Sequence, residues 1–293
     1  VVGALVFVGS KMGLPYAPPL VLAALRLDVA GLLLVPIVAF QYEYWLPQTR
    51  RDLIGVALTG VFTLGLTNTL LLTGQQHVSS AVGAIAYSLM PMLMTAFAVL
   101  ILPAAALDRS DAVGIGLGFI GAIIVANPNP TDLLTARVLG VGIMLASVVV
   151  FALGSVVTQR LDPSMPRITL TAWGALLAGL FNHAVALRFG ASLTAVDWTI
   201  QMVYALFVLG VLATAILYTV HFELIDRIGP SRASLTFYIQ PIVAALLGWL
   251  LFRQRVTASV FVGFLVIVSG FVLIEYRLLF RLWRNFVGVG TRE

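Results

Sequence analysis

Ten stretches of almost uninterrupted apolar residues, parted by short segments of charge, proline or glycine, run the length of this 293-residue chain. They lie at residues 1–14, 19–40, 53–73, 80–102, 112–126, 138–158, 168–187, 199–222, 231–252 and 258–275. A helix rises 1.5 Å per residue, so about 20 apolar residues cross a hydrocarbon core roughly 30 Å thick. Inside that core every backbone N–H and C=O must be satisfied within the protein, which leaves a helix as the form for a span of this length. The expected fold is therefore an all-α integral membrane protein, a bundle of ten transmembrane helices. The first stretch falls short of a full span, so its helix is expected to be truncated, with further residues upstream.

Charge supports the same reading. Charged residues make up 10% of the chain, against about 25% in a soluble domain. Cysteine is absent, which removes disulfides, thiolate metal sites and cysteine nucleophiles together. His77, His183 and His221 show no metal-ligand spacing, so no metal is expected. No nucleotide-binding motif or other cofactor signature is present. The arginines do not interleave with aromatics in a patch, which argues against nucleic acid. In a membrane protein such residues report topology. With the N-terminus on one side, that side collects eleven basic residues and the other six. Both termini are therefore expected in the cytoplasm of a multi-pass cell (plasma or inner) membrane protein.

The chain also overlays on itself. A shift of 150 residues places Pro91 on Pro241 and Thr69 on Thr219, and a shift of 149 places Gly114 on Gly263 and Gly121 on Gly270. The turn at Asn127 to Pro130 falls midway. This divides the chain into a first repeat (1–126), a linker (127–136), a second repeat (137–276) and a basic tail (277–293). Five spans is an odd number, so the repeats would insert in opposite directions. Inverted repeats of this kind belong to transporters whose substrate site lies near mid-membrane between the halves.

The segment Asp226-Arg227-Ile228-Gly229-Pro230-Ser231-Arg232-Ala233-Ser234, then Pro241, Ala244 to Trp249 and Gly263 to Gly270, resembles the second half of EamA-type members of the drug/metabolite transporter superfamily. Pro18-Pro19, Leu25-Arg26 and Ala30-Gly31 resemble that family's second helix. The resemblance implies ten helices, inverted five-helix repeats and a central cavity lined by helices other than the fifth and tenth. It implies a secondary transporter of a small metabolite or drug-like solute, working by export or exchange through alternating access. A lipid flippase or a non-transporting accessory subunit also fits the family. An intramembrane enzyme would need a catalytic constellation that the sequence does not offer. Where the family usually carries acids, this chain has Gln240, Gln254 and Ala104 to Ala106, so no coupling role transfers to those positions.

Candidate residues follow from polarity inside the spans. Arg26 lies about two turns into the second helix, where it either bonds helix-end carbonyls or meets an anionic solute. Asp28, two residues on, faces elsewhere and needs a partner from another helix, which makes it a proton-coupling candidate. Thr214, Tyr218 and His221 share one helical face expected to meet the cavity, and His221 is a second proton-coupling candidate because an imidazole changes charge near neutral pH. Pro91 and Pro241 are expected to kink their helices and free a carbonyl at Tyr87 and Phe237. Tyr87, Ser88, Tyr238 and Gln240 stand beside those kinks and would suit an amphipathic organic solute. Asn68, Trp173 and Asn182 are weaker candidates. Glu223 and Arg227 have the spacing of a structural helix pair. Gly114, Gly116, Gly118 and Gly121 allow close packing, within a scaffold or at a homodimer face. The tail from Tyr276 to Phe286 alternates arginine with apolar residues, as a helix lying on anionic membrane lipid does.

Overall fold

In the computed structural model, residues 2–102, 108–128, 135–228, 236–274 and 276 are described, and every regular element among them is helical. Among the described residues seven helices are long and apolar enough to cross a membrane: α2 (Pro19–Gln41), α3 (Arg50–Gln75), α4 (Ser80–Ile101), α5 (Arg109–Ala126), α6 (Ala136–Leu161), α7 (Arg167–Arg188) and α8 (Ile200–Val220). Three shorter apolar helices accompany them: α1 (Val2–Gly13), α9 (Thr236–Phe252) and α10 (Ala258–Ile274). The basic tail beyond residue 276 lies outside the described residues.

Local chemistry sets where the helices begin and end. Pro19 occupies the first turn of α2, where its missing N–H costs nothing. Ser79, Thr135 and Thr199 cap α4, α6 and α8 through their hydroxyls, satisfying donors that a helix start leaves open. Asn127 and Asp162 end α5 and α6 with φ of 48° and 50°, the left-handed turn that stops a helix. Two arginines then bond the last carbonyls of other helices. Arg160 donates to Ile101 O and Arg137 to Val125 O, each at 2.7 Å.

Three spans are irregular inside. α3 widens to π-helix over Leu58–Leu66 and α8 over Phe207–Ile216. In each, a threonine hydroxyl donates to the carbonyl five residues back: Thr67 to Phe62 at 3.3 Å and Thr214 to Leu209 at 2.6 Å. α4 breaks at Ser88 and Leu89, just before Pro91, and Ser88 Oγ donates to Ile85 O at 2.6 Å. Pro241, by contrast, lies within a continuous α9.

α5 packs along α10, and α2 along α7. The first pair meets backbone to backbone. A methyl group added at Gly114 would strike the Gly270 carbonyl, and one at Gly270 would strike that of Gly114. Gly121 and Gly263 stand in the same reciprocal relation. In the second pair Gly31 of α2 abuts Leu176 of α7, while Gly179 of α7 abuts Asp28 of α2. Gly60 of α3 abuts Leu177 of α7, and Gly210 of α8 abuts Val29 of α2.

Candidate functional site

A cavity of about 400 Å³ opens among α1 to α4 and α6 to α9. Among the described residues α5 and α10 contribute nothing to its wall. It runs from Arg26 and Tyr87 in the bundle interior to Asp162, at the end of α6, and Arg167, the first residue of α7, both exposed. Most of the wall is apolar and aromatic, with Phe7, Met90, Met94, Phe151 and Phe237 prominent. Polar groups come chiefly from α3, as Thr59, Thr63, Thr67 and Asn68, with Gln240 opposite on α9.

Arg26 is the charge at the inner end. Its side chain is 3% exposed. Nε donates to Thr214 Oγ1 at 2.8 Å, and Nη2 reaches Ala213 O at 3.4 Å, both in the π-helical part of α8. An arginine at the centre of a membrane helix costs roughly 2.5–3.5 kcal/mol on insertion scales. These two bonds offset part of that cost, and they involve no carboxylate. Tyr87 and Tyr218 lie within electrostatic reach of the guanidinium. Tyr87 OH and Ser147 Oγ are 2.5 Å apart, and Ser147 Oγ donates to Thr67 O at 2.9 Å.

The other sequence candidates divide. Arg26, Asn68, Tyr87, Tyr218 and Gln240 line this cavity together. Ser88 does not, being fully buried at the break in α4. Trp173 also lies off the cavity wall. It stacks on Trp45 with ring centroids 6.1 Å apart and donates to Trp45 O at 2.7 Å. Asp28 points away from the cavity and meets His183 of α7 at 2.6 Å, both about one-quarter to one-third exposed at 30% and 26%. Asn182 accepts from Thr69. Glu223 and Arg227 pair at 2.5 Å on the exposed end of their helix. The side chains of His221 and Tyr238 lie outside the described residues. No cluster of three or more histidine, cysteine, aspartate or glutamate side chains that could hold a metal ion occurs among the described residues.

Sequence reasoning missed the threonine row. Thr59, Thr63 and Thr67 recur every four residues, which puts them on one face of an apolar helix, and that spacing was the available signal. It also missed Asp52. Fully buried, Asp52 accepts from Tyr44 OH, from Thr49 N at 2.9 Å and from Ser164 N at 2.9 Å. It thereby ties the start of α3 to the connection at the cavity mouth. Ionised Asp52 in turn holds the Tyr44 hydroxyl protonated to above the usual phenol range, through their hydrogen bond.

The far end is closed. Ser80 Oγ donates to Phe7 O at 3.3 Å, and Ser80 N donates to Gln254 Oε1 at 3.0 Å. Gln254 thus serves the start of α4 with a neutral acceptor. Phe7 and Tyr87 meet edge to face at 5.3 Å. Behind them Gln75, fully buried at the end of α3 away from the mouth, has an amide with no hydrogen-bond partner at either atom among the described residues.

The sequence profile of the EamA-like transporter family matches residues 1–127 and 138–276. The chain belongs to the EamA-like transporter family. It is a multi-pass transmembrane protein of a transporter family, as the long apolar helices require. Its relatives carry matching names. The uncharacterized transporter YoaV of Bacillus subtilis is 23% identical over 264 residues, covering 90% of this chain and 89% of that one. YvbV of the same organism, also an uncharacterized transporter, is 27% identical, covering 91% and 85%. The uncharacterized inner membrane transporter YedA of Escherichia coli K12 is 26% identical, covering 90% and 84%. A solved crystal structure 18% identical in sequence aligns with a TM-score of 0.67 over 96% of this chain and 97% of its own. That likeness is one of fold.

Proposed function

We propose that this EamA-family protein is a secondary active transporter that exports or exchanges a small organic solute by alternating access. The solute would occupy the central cavity between two inverted five-helix repeats, α1 to α5 and α6 to α10. The observation that carries the reading is the cavity itself: eight helices drawn from both halves enclose it, one end reaches exposed residues, and the other is closed by packed side chains. Such a chamber is what a solute needs to be taken from one side without a continuous pore.

The reciprocal contacts support the inverted repeat. Gly114 on Gly270 becomes Gly263 on Gly121 when the halves are exchanged by the 149-residue shift. The π-helical segments of α3 and α8 also begin 149 residues apart, at Leu58 and Phe207. On the distribution of arginine the cavity mouth, with Arg160 and Arg167 nearby, would face the cytoplasm, and both termini with it. The inner or plasma membrane is the matching location, in keeping with the name of YedA. Without a nucleotide-binding motif the drive would come from a gradient or from exchange, and Asp28 with His183 is our candidate for carrying a proton.

Purified protein in liposomes tests the reading with labelled amino acids, nucleosides, sugars, organic acids and cationic drugs. Uptake of at least one class is expected, cut at least about tenfold by Tyr218→Ala and by Gln240→Ala, with membrane yield unchanged. Flux indifferent to both substitutions, or no flux at all, overturns it.

A further inference from the structure

Four buried polar atoms belonging to residues of the cavity wall have no hydrogen-bond partner among the described residues: Arg26 Nη1, Thr63 Oγ1, Asn68 Oδ1 and Thr158 Oγ1. The orientation of Asn68 is fixed, because its Nδ2 donates to Leu64 O at 2.8 Å. The wall thus offers one unmatched cationic donor and, from Asn68, one unmatched acceptor.

Guanidinium stays charged in any protein environment, and its planar fork suits a carboxylate better than any neutral group. The acids of this chain that lie nearest in sequence or depth are engaged elsewhere. Asp28 bonds His183, and Asp52 is held by the Thr49 and Ser164 backbone N–H groups. Among the described wall residues the one acid is Asp162, exposed at the mouth together with Arg167. A buried charge persists when it is paired, and no acid among the described residues pairs with Arg26, which leaves the place to a solute.

We propose that the cavity takes a monoanionic organic solute, its carboxylate on Arg26, a hydrogen-bond donor of the same molecule on Asn68, and its apolar body against Phe7, Met90 and Phe237. The proposal rests on the transport reading of the cavity and adds the charge class. One guanidinium matches one negative charge, so a doubly charged phosphate ester would bring an unneutralised charge into an apolar chamber. An organic cation would meet the like charge of Arg26 with no acid beside it. The volume of about 400 Å³ falls in the range of small-ligand sites.

The test uses ligand-induced thermal stabilisation of the detergent-purified full chain. The probes are hexanoate, 3-phenylpropionate and 2-hydroxy-3-phenylpropionate, each beside its neutral amide and the corresponding amine. At least one acid should bind at least about tenfold more tightly than its amide and amine. The hydroxylated acid should bind more tightly than its parent, an advantage lost in Asn68→Leu. Arg26→Met should erase the preference for acid over amide, and Arg26→Lys should retain part of it. The acid-to-amide ratio is read on the unaltered protein, so it decides even if Arg26→Met fails to fold. Equal binding of amide or amine, binding of no acid, or a preference that survives Arg26→Met overturns the proposal. Neutral or cationic solutes that cross liposomes in a Tyr218-dependent way would sink the anion class while transport stands. Acids that bind with the Arg26-dependent preference but never cross would leave the charge class standing and sink transport.

Discussion

Asp28 shows what a single residue discloses about itself and what it conceals. From the sequence alone it lacks a partner on its own helix, because Arg26 two residues earlier faces another way. That its partner is His183, 155 residues on, depends on how α2 and α7 cross, which no local pattern encodes. Arg26 is similar: the sequence leaves it between helix-end carbonyls and a solute, and its bonds to Ala213 O and Thr214 Oγ1 fall instead in the widened middle of α8. Trp173 was marked for polarity and position, yet its indole N–H is satisfied by Trp45 O, outside the cavity. Burial of a polar group is thus readable, whereas its partner is a tertiary fact. If the Asp28–His183 pair carries a proton, Asp28→Asn should remove the pH-gradient dependence of liposome uptake while solute exchange persists. Dependence that remains in the variant would reject the role.

At the scale of the helix, hydropathy located the elements well because each must keep its backbone bonds internal across the same thickness. The described ends fall within a few residues of the apolar stretches, fixed by Thr49, Ser79, Asp108 and Thr199 at the starts. The interior irregularities were less legible. Pro91 announced the break in α4, but Pro241 leaves α9 continuous, and nothing in the composition of Leu58–Leu66 announces a π-helix. Glycine spacing did carry through to packing. Gly121→Val should lower the thermal midpoint in detergent, because its side chain would meet the Gly263 carbonyl and the Ile267 backbone, and overpacking against backbone costs about 1–3 kcal/mol. Gly116→Val, on the same helix with nothing within 4 Å, should be nearly neutral. A comparable loss in both variants would show that α5 and α10 do not depend on that contact.

For the molecule as a whole, five polar positions marked by the sequence, Arg26, Asn68, Tyr87, Tyr218 and Gln240, line one cavity, but its seal was not legible. Gln75 carries no charge and sits at a helix end, so the sequence marks it for nothing. In the structure it is a buried amide without partners among the described residues, and such a group costs roughly 1–3 kcal/mol. That energy belongs to the sealed arrangement and disappears wherever water reaches the end of α3. A bias of about 1.4 kcal/mol is a tenfold change in population. Gln75→Leu should therefore raise the thermal midpoint yet slow uptake into liposomes, since the conformation it favours is the closed one. A variant that is both less stable and equally fast would show that Gln75 sets no such balance. The discomfort of one amide would then be a timing element: the seal is tight enough to hold and strained enough to let go.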